Sequence, residues 1–315
     1  MLRFLLRRLS ESIIVLLVMS FIIYALLGLM PGDPIDLMIA ANPELTSADA
    51  QRLKALYGLD LPIHERYLTW LGQALGGDLG FSRLHRQPVM DILLPRLWNS
   101  VQLMGLGFFL AAALSIPLGI WAALKPRSPR DHAINFVAFA GISVPPFWLA
   151  IMLIMIFSVW LGWLPASGMG QAGDPASRLQ HLVLPVLAMT LLTVGGIVRF
   201  MRGSMIEALR QDYIRTARAK GLSQRGVVYG HGLRNAMIPV VTILALNFGT
   251  LFSGALITET MFGYLGMGKT IYDAILGNDY NLALVGLLFA TATTLIANLA
   301  ADLAYAWLDP RISLR

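Results

Sequence analysis

AINFVAFAGISVPPFWLAIMLIMIFSVWLGWL, residues 133–164, carries no charged side chain from end to end. A bilayer core of about 30 Å needs about 20 apolar helical residues to cross it. This run is longer than one crossing requires. Pro145 and Pro146 sit inside it, so it reads as one kinked span whose first turns are cytoplasmic. One such run is compatible with a buried core helix. Five more accompany it: 13–30, 101–124, 182–198, 237–262 with its uncharged part ending at Ile257, and 282–308, whose one charge is Asp302. Six runs in 315 residues predict an all-α membrane protein with six transmembrane helices.

Composition agrees. The chain is 57% hydrophobic and 13% charged, against about 45–50% and about 25% in an average soluble domain. A disordered chain needs the opposite balance. Without a cysteine, disulfides, thiolate metal sites and cysteine nucleophiles are excluded. Arg3, Arg7 and Arg8 precede the first run as in a signal peptide. The run exceeds a signal's apolar region of about 7–15 residues and has no clear A-x-A site after it, so it reads as a retained anchor.

A net charge of +6 and a pI near 9.8 could mean nucleic acid. The placement of the charges points to membrane orientation instead. With the N-terminus inside, sixteen of the 24 basic residues fall inside, eight of them between Arg199 and Arg234. The expected order is a cytoplasmic N-terminus 1–12, a first span 13–30, a periplasmic helical region 31–100, and spans 101–124 and 133–164. Span 182–198, a cytoplasmic loop 199–236, span 237–262, a periplasmic loop 263–281 and span 282–308 follow. Both termini lie inside, and the transmembrane domain covers residues 95–310.

Two wet segments carry pattern. In the periplasmic region Ser47 can cap a helix ending at Gly58, and Tyr67, Leu68, Leu71 and Leu75 lie on one face of a second, 63–75. In the cytoplasmic loop Met205, Leu209, Tyr213 and Ala217 recur at helical spacing, Gly221 breaks the helix, and Ser223 can cap the next. The result is a basic helix–glycine–helix elbow with a small tip at Ala217, Ala219 and Gly221, suited to close approach by another surface. The plainer reading is a basic loop that only obeys the charge rule.

Motifs for chemistry are mostly missing. His64, His85, His132, His181 and His231 show no metal-ligand spacing. Asp302 stands alone inside a span, where a charge faces a partner or cavity; a structural hydrogen bond is the preferred reading. An aspartyl intramembrane protease needs two carboxylates, and Glu259 is at the outer end of its span. Residues 263–270, GYLGMGKT, match the phosphate-binding G-x-x-x-x-G-K-[ST] pattern. Such a loop needs a preceding buried strand and a following helix in a soluble α/β domain, with a carboxylate for magnesium; here a membrane span precedes it and the charge rule places it outside, so it reads as a tight outer turn.

Several segments together resemble the inner-membrane permease subunits of binding-protein-dependent ABC importers, in the dipeptide/oligopeptide/nickel branch. Met30-Pro31-Gly32-Asp33-Pro34 resembles the end of that family's first helix. Tyr57-Gly58-Leu59-Asp60-Leu61-Pro62 and Gly77-Asp78-Leu79-Gly80 resemble its outer region. Asp212-Tyr213-Ile214-Arg215-Thr216-Ala217-Arg218-Ala219-Lys220-Gly221, followed by Leu222 and later by Asn235 and Pro239, resembles its ATPase-coupling motif. Asp302 and Leu308-Asp309-Pro310-Arg311 resemble its C-terminal signature. Arg215-Thr216-Ala217 stands where the generic motif begins Glu-Ala-Ala, and Leu265 where members often carry proline.

The resemblance, which covers essentially the whole chain, implies a type I ABC importer permease fold in a bacterial inner membrane. It implies half of a pathway for peptides or a related small solute. The expected partners are a second homologous permease, two ATPase subunits, a periplasmic binding protein and membrane lipid, with no nucleic acid. The chain itself has no cofactor and is not an enzyme, since ATP and magnesium belong to the ATPases. The alternative is a self-sufficient secondary transporter or channel, for which Asp302 is the one ion-coupling candidate. No residue of the spans announces a substrate.

Overall fold

A computed structural model describes residues 2–29 and 61–308. The signature residues Pro31, Gly32, Asp33, Pro34, Asp309 and Pro310, and the expected helix at 47–57, lie outside the described residues. The chain divides into two units, 1–97 with 270–293, and 98–269 with 294–315.

In the first unit, helix α1 (Leu2–Gly28) is apolar on nearly all sides. Helix α2 (Ile63–Leu75) occupies the stretch whose periodicity predicts one. Its buried contact is Tyr67, whose phenol oxygen lies 2.7 Å from Ser20 Oγ and whose ring meets Phe21 and Tyr24 edge-on. Leu68 and Leu75 are exposed, so the buried face is narrower than the leucine spacing implies. A two-residue antiparallel pair follows, β1 (Phe81–Ser82) with β2 (Gln87–Pro88), in register Phe81–Pro88 and Ser82–Gln87. Asp279 holds it: its carboxylate accepts from Ser82 Oγ at 2.5 Å and from Leu84 N at 3.0 Å, and it also accepts from Leu282 N at 3.3 Å.

Helix α3 (Val89–Ala123) begins well outside the expected span 101–124. Asp91 and Arg96 interrupt the hydropathy there but not the helix, because Val89, Ile92 and Leu93 are buried. In the second unit the expected kinked span 133–164 is broken rather than kinked. Helices α4 (Pro129–Ser143) and α5 (Pro146–Leu153), the latter continued by a π-helical stretch Ile154–Trp160, meet at 107°. Val144 (ψ 128°) and Pro145 (ψ 136°) are extended, as a residue preceding proline prefers to be. Two prolines in sequence therefore end one helix and start another.

Helix α6 (Pro175–Leu209) exceeds its expected span 182–198 at both ends. Asp174 caps it through Ala176 N and Ser177 N, with Pro175 in the first turn. Close approach is bought with glycine. A Cβ at Gly119 would stand 2.6 Å from Met201 Cβ, and one at Gly195 would collide with the Ala138 carbonyl. Small residues let helix backbones pack without a solvent-driven force inside a bilayer. Helices α7 (Asp212–Ala219), α8 (Leu233–Met261), α9 (Met267–Leu276) and α10 (Tyr280–Leu308) complete the chain.

Among the described residues four helices are long and apolar enough to cross a membrane alone, or five if the bent α4–α5 pair counts as one span. Helix α8 contains the apolar stretch 237–257.

Candidate coupling site

Helix α6 does not run into the elbow. It stops at Leu209, Gln211 is extended (ψ 153°), and α7 starts afresh at Asp212. The Met205–Leu209–Tyr213–Ala217 stripe is therefore split between two helices. Ile214 and Ala217 are buried against Val227, with Leu209 beside them, whereas Tyr213 is exposed. Ala217 is thus an inward packing residue and not part of an exposed tip.

The outer surface of the elbow is made by Tyr213, Arg215, Thr216, Ala219, Lys220, Gly221 and Leu222, all exposed. Gly221 closes α7. Its φ of 77° is left-handed, its N–H donates to Arg218 O at 3.0 Å, and Leu222 N donates to Ala217 O at 3.4 Å. This pair of reversed bonds satisfies the last carbonyls of the helix. Ser223 Oγ then accepts from Gly226 N, opening a π-helical stretch Gly226–Gly232 that leads into α8. Beneath the elbow Met201, Met205, Val228, Ala236 and Val240 form one core. Asn235 caps back onto His231 O at 2.9 Å, and Pro239 lies inside α8.

A second support was not foreseen. Arg202 of α6 donates through Nε and Nη2 to the two carboxylate oxygens of Asp131, at 2.6 and 2.7 Å. Arg127 N and Asn135 Nδ2 fill the remaining acceptor positions at 2.8 and 2.7 Å. Asp131 is buried in the first turn of α4, whose cap is Ser128. The sequence held a signal: Ser128-Pro129-Arg130-Asp131 is the S-x-x-D pattern of a capped helix start.

The phosphate-loop match has a structural explanation. The Glu259 carboxylate is buried among the backbone of residues 266–269: it accepts from Lys269 N at 2.9 Å and from Ser100 Oγ. Ser100 Oγ in turn accepts from Met267 N at 2.8 Å. A Cβ at Gly266 would collide with this carboxylate. The loop does wrap a carboxyl group, and that group is the chain's own side chain. Tyr264 beside it is buried and donates to Asn99 O at 3.2 Å; burial pushes its phenol up to about 12.

Asp302 lies in α10, partly buried and engaged by other groups of the chain. Among the described residues no cluster of acids and histidines could hold a metal.

The family described as the binding-protein-dependent transport system inner membrane component matches residues 115–314, and its N-terminal counterpart matches residues 1–104. The chain belongs to this family. It is 36% identical over 313 residues to the oligopeptide transport system permease protein AppB of Bacillus subtilis, covering 98% of each chain. It is 36% identical over 336 residues to the dipeptide transport system permease protein DppB of Escherichia coli K12, covering 99% of each. A putative peptide permease protein of Brucella ovis is 40% identical over 316 residues, again with 99% of each covered. Among solved structures, the inward-facing MetNI methionine ABC transporter matches with a TM-score of 0.59 at 16% identity, over 70% of this chain and 98% of that one. The fold is that of an ABC importer permease, and the protein is a multi-pass inner-membrane protein.

Proposed function

We propose that the chain forms half of the translocation pathway of a peptide importer, and that α7 is where a separate ATPase subunit docks. The observation that carries this is the elbow. An eight-residue helix closed by Gly221 presents a basic outer face, while Ile214 and Ala217 pack its inner face on Val227 of the π-helical stretch and on Leu209 at the end of α6. Push or pull on such an element passes to α6 and α8, since both share the core beneath it. The peptide relatives support the substrate class.

In this reading both termini are cytoplasmic, six spans cross the bilayer, and a periplasmic binding protein delivers the solute. ATP and magnesium bind only on the ATPase subunits. A second permease completes the pathway. The face of α6 with Gly196, Arg199, Phe200, Gly203 and Ser204 supports this, for it lines an open groove with small residues that leave room for another helix.

The test is uptake and substrate-stimulated ATP hydrolysis by the reconstituted complex with Gly221→Trp in the elbow. The reading predicts loss of both with the subunits still assembled or partly released. Undiminished stimulation and uptake would contradict it.

A further inference from the structure

We propose that Arg130 and Trp121 form a binding site for the phosphate of an anionic phospholipid at the end of α3. The guanidinium of Arg130 stacks on the Trp121 ring, 4.9 Å from its centroid. Its Nε and Nη2 are shielded from solvent and have no hydrogen-bond partner among the described residues. These two N–H groups form the side-on fork that grips carboxylates and phosphates bidentately. Arg202 uses the same two nitrogens on Asp131, the residue next to Arg130 in sequence, and that fork is filled.

Asp131 cannot serve both. Its carboxylate has about four acceptor sites, and Arg202, Arg127 N and Asn135 Nδ2 take them. No acid among the described residues fills the second fork, and we assign it to a ligand from outside the chain. A buried donor left unpaired is costly. A small outward swing of the guanidinium onto a phosphate exchanges that cost for two charge-assisted hydrogen bonds.

The surroundings select a lipid. Trp121 is half exposed and sits in the last turn of an apolar span, where tryptophan marks the headgroup level. Lys125 and Arg127 are exposed in the turn that follows and add to the attraction for anionic headgroups. The proposal goes beyond the transport reading and needs only that α3 crosses a bilayer.

The experiment places the assembled complex in nanodiscs of phosphatidylcholine with or without phosphatidylglycerol, and counts retained lipid by native mass spectrometry. Wild type should retain phosphatidylglycerol, and Arg130→Gln about tenfold less. Arg130→Lys keeps the charge without the fork, and it should lose nearly as much. Arg86→Gln, in the exposed β1–β2 turn, should change nothing. Wild-type retention in Arg130→Lys or Arg130→Gln would overturn the proposal. So would an Arg130-dependent rise in melting temperature with inorganic phosphate in pure phosphatidylcholine, which marks a site for soluble phosphate. Release of a partner subunit by Arg130→Gln with lipid retention unchanged would assign the fork to a protein carboxylate and also overturn it.

Discussion

Arg202 grips both carboxylate oxygens of Asp131 across α6 and α4, one helical element away from the elbow that α6 feeds. Asp131 is buried and Arg202 is about a quarter exposed. The pair ties the start of the broken helix pair to the helix that carries the coupling loop. Removing one partner leaves the other charge poorly compensated. Asp131→Ala should therefore lower stability by about 3 kcal/mol, measured by thermal melting in nanodiscs. The double replacement Asp131→Leu with Arg202→Met should recover a large part of the loss. A loss in the double variant equal to the sum of those of Asp131→Leu alone and Arg202→Met alone would show that the two residues do not act as a pair.

Gly221 makes a finer prediction. Its φ of 77° is a conformation L side chains rarely adopt, yet a Cβ there meets nothing within 4 Å. Gly221→Ala should cost about 1–2 kcal/mol from backbone strain alone. Gly221→Asn should cost less, since asparagine tolerates the left-handed region. Equal melting temperatures for glycine, alanine and asparagine variants would show that the elbow does not depend on this turn.

The glycine loop predicts a negative. Because the amides of residues 266–269 are already taken, by Tyr264 O, Ser100 Oγ and the Glu259 carboxyl group, a photoreactive ATP analogue should label the ATPase subunits and leave the peptide containing Gly263–Thr270 unlabelled. Gly266→Ala should be destabilising, since its Cβ would enter the Glu259 carboxylate. Labelling of that peptide in wild type, reduced by Lys269→Ala, would contradict the explanation by an internal carboxyl group.

Tyr264 gives a pH signature. Burial raises its phenol from the ordinary 10.0 to about 12, so the folded state keeps the proton that the unfolded chain has already lost. Its contribution to stability is fully present below about pH 10 and is lost as pH rises through about 12. Alkaline melting curves of wild type and Tyr264→Phe should converge on raising the pH across this window. A constant difference would show that Tyr264 titrates normally.

Much of the architecture was legible. Each apolar run overlaps a helix or, at 133–164, a broken helix pair, because lipid-facing helices cannot hide charge, and the elbow is a basic break between two of them. What hydropathy misplaced were ends and bends. Asp91 and Arg96 cut the second run short although Val89 and Leu93 keep the helix buried and continuous. Pro145-Pro146 signalled a kink, whereas extended backbone at Val144 and Pro145 turned it into a break of 107°. Within the elbow, the family-like motif holds exposed and buried positions together. Helical spacing could not reveal that α6 stops at Leu209, and so it put Tyr213 in place of Ile214. The Asp131–Arg202 and Ser100–Glu259 pairs join residues far apart in sequence, where periodicity carries no information.

The central claim is that α7 is the surface an ATPase subunit meets, and the missing cysteine makes it directly testable. Lys220→Cys, exposed beside Gly221, and Arg86→Cys, in the β1–β2 turn of the first unit, would each be the chain's single thiol. The complex is treated with a short bismaleimide after equipping each ATPase subunit with one surface cysteine. The account predicts a cross-linked permease–ATPase species from Lys220→Cys and none from Arg86→Cys. No cross-link from Lys220→Cys, or equal yields from both positions, would contradict it.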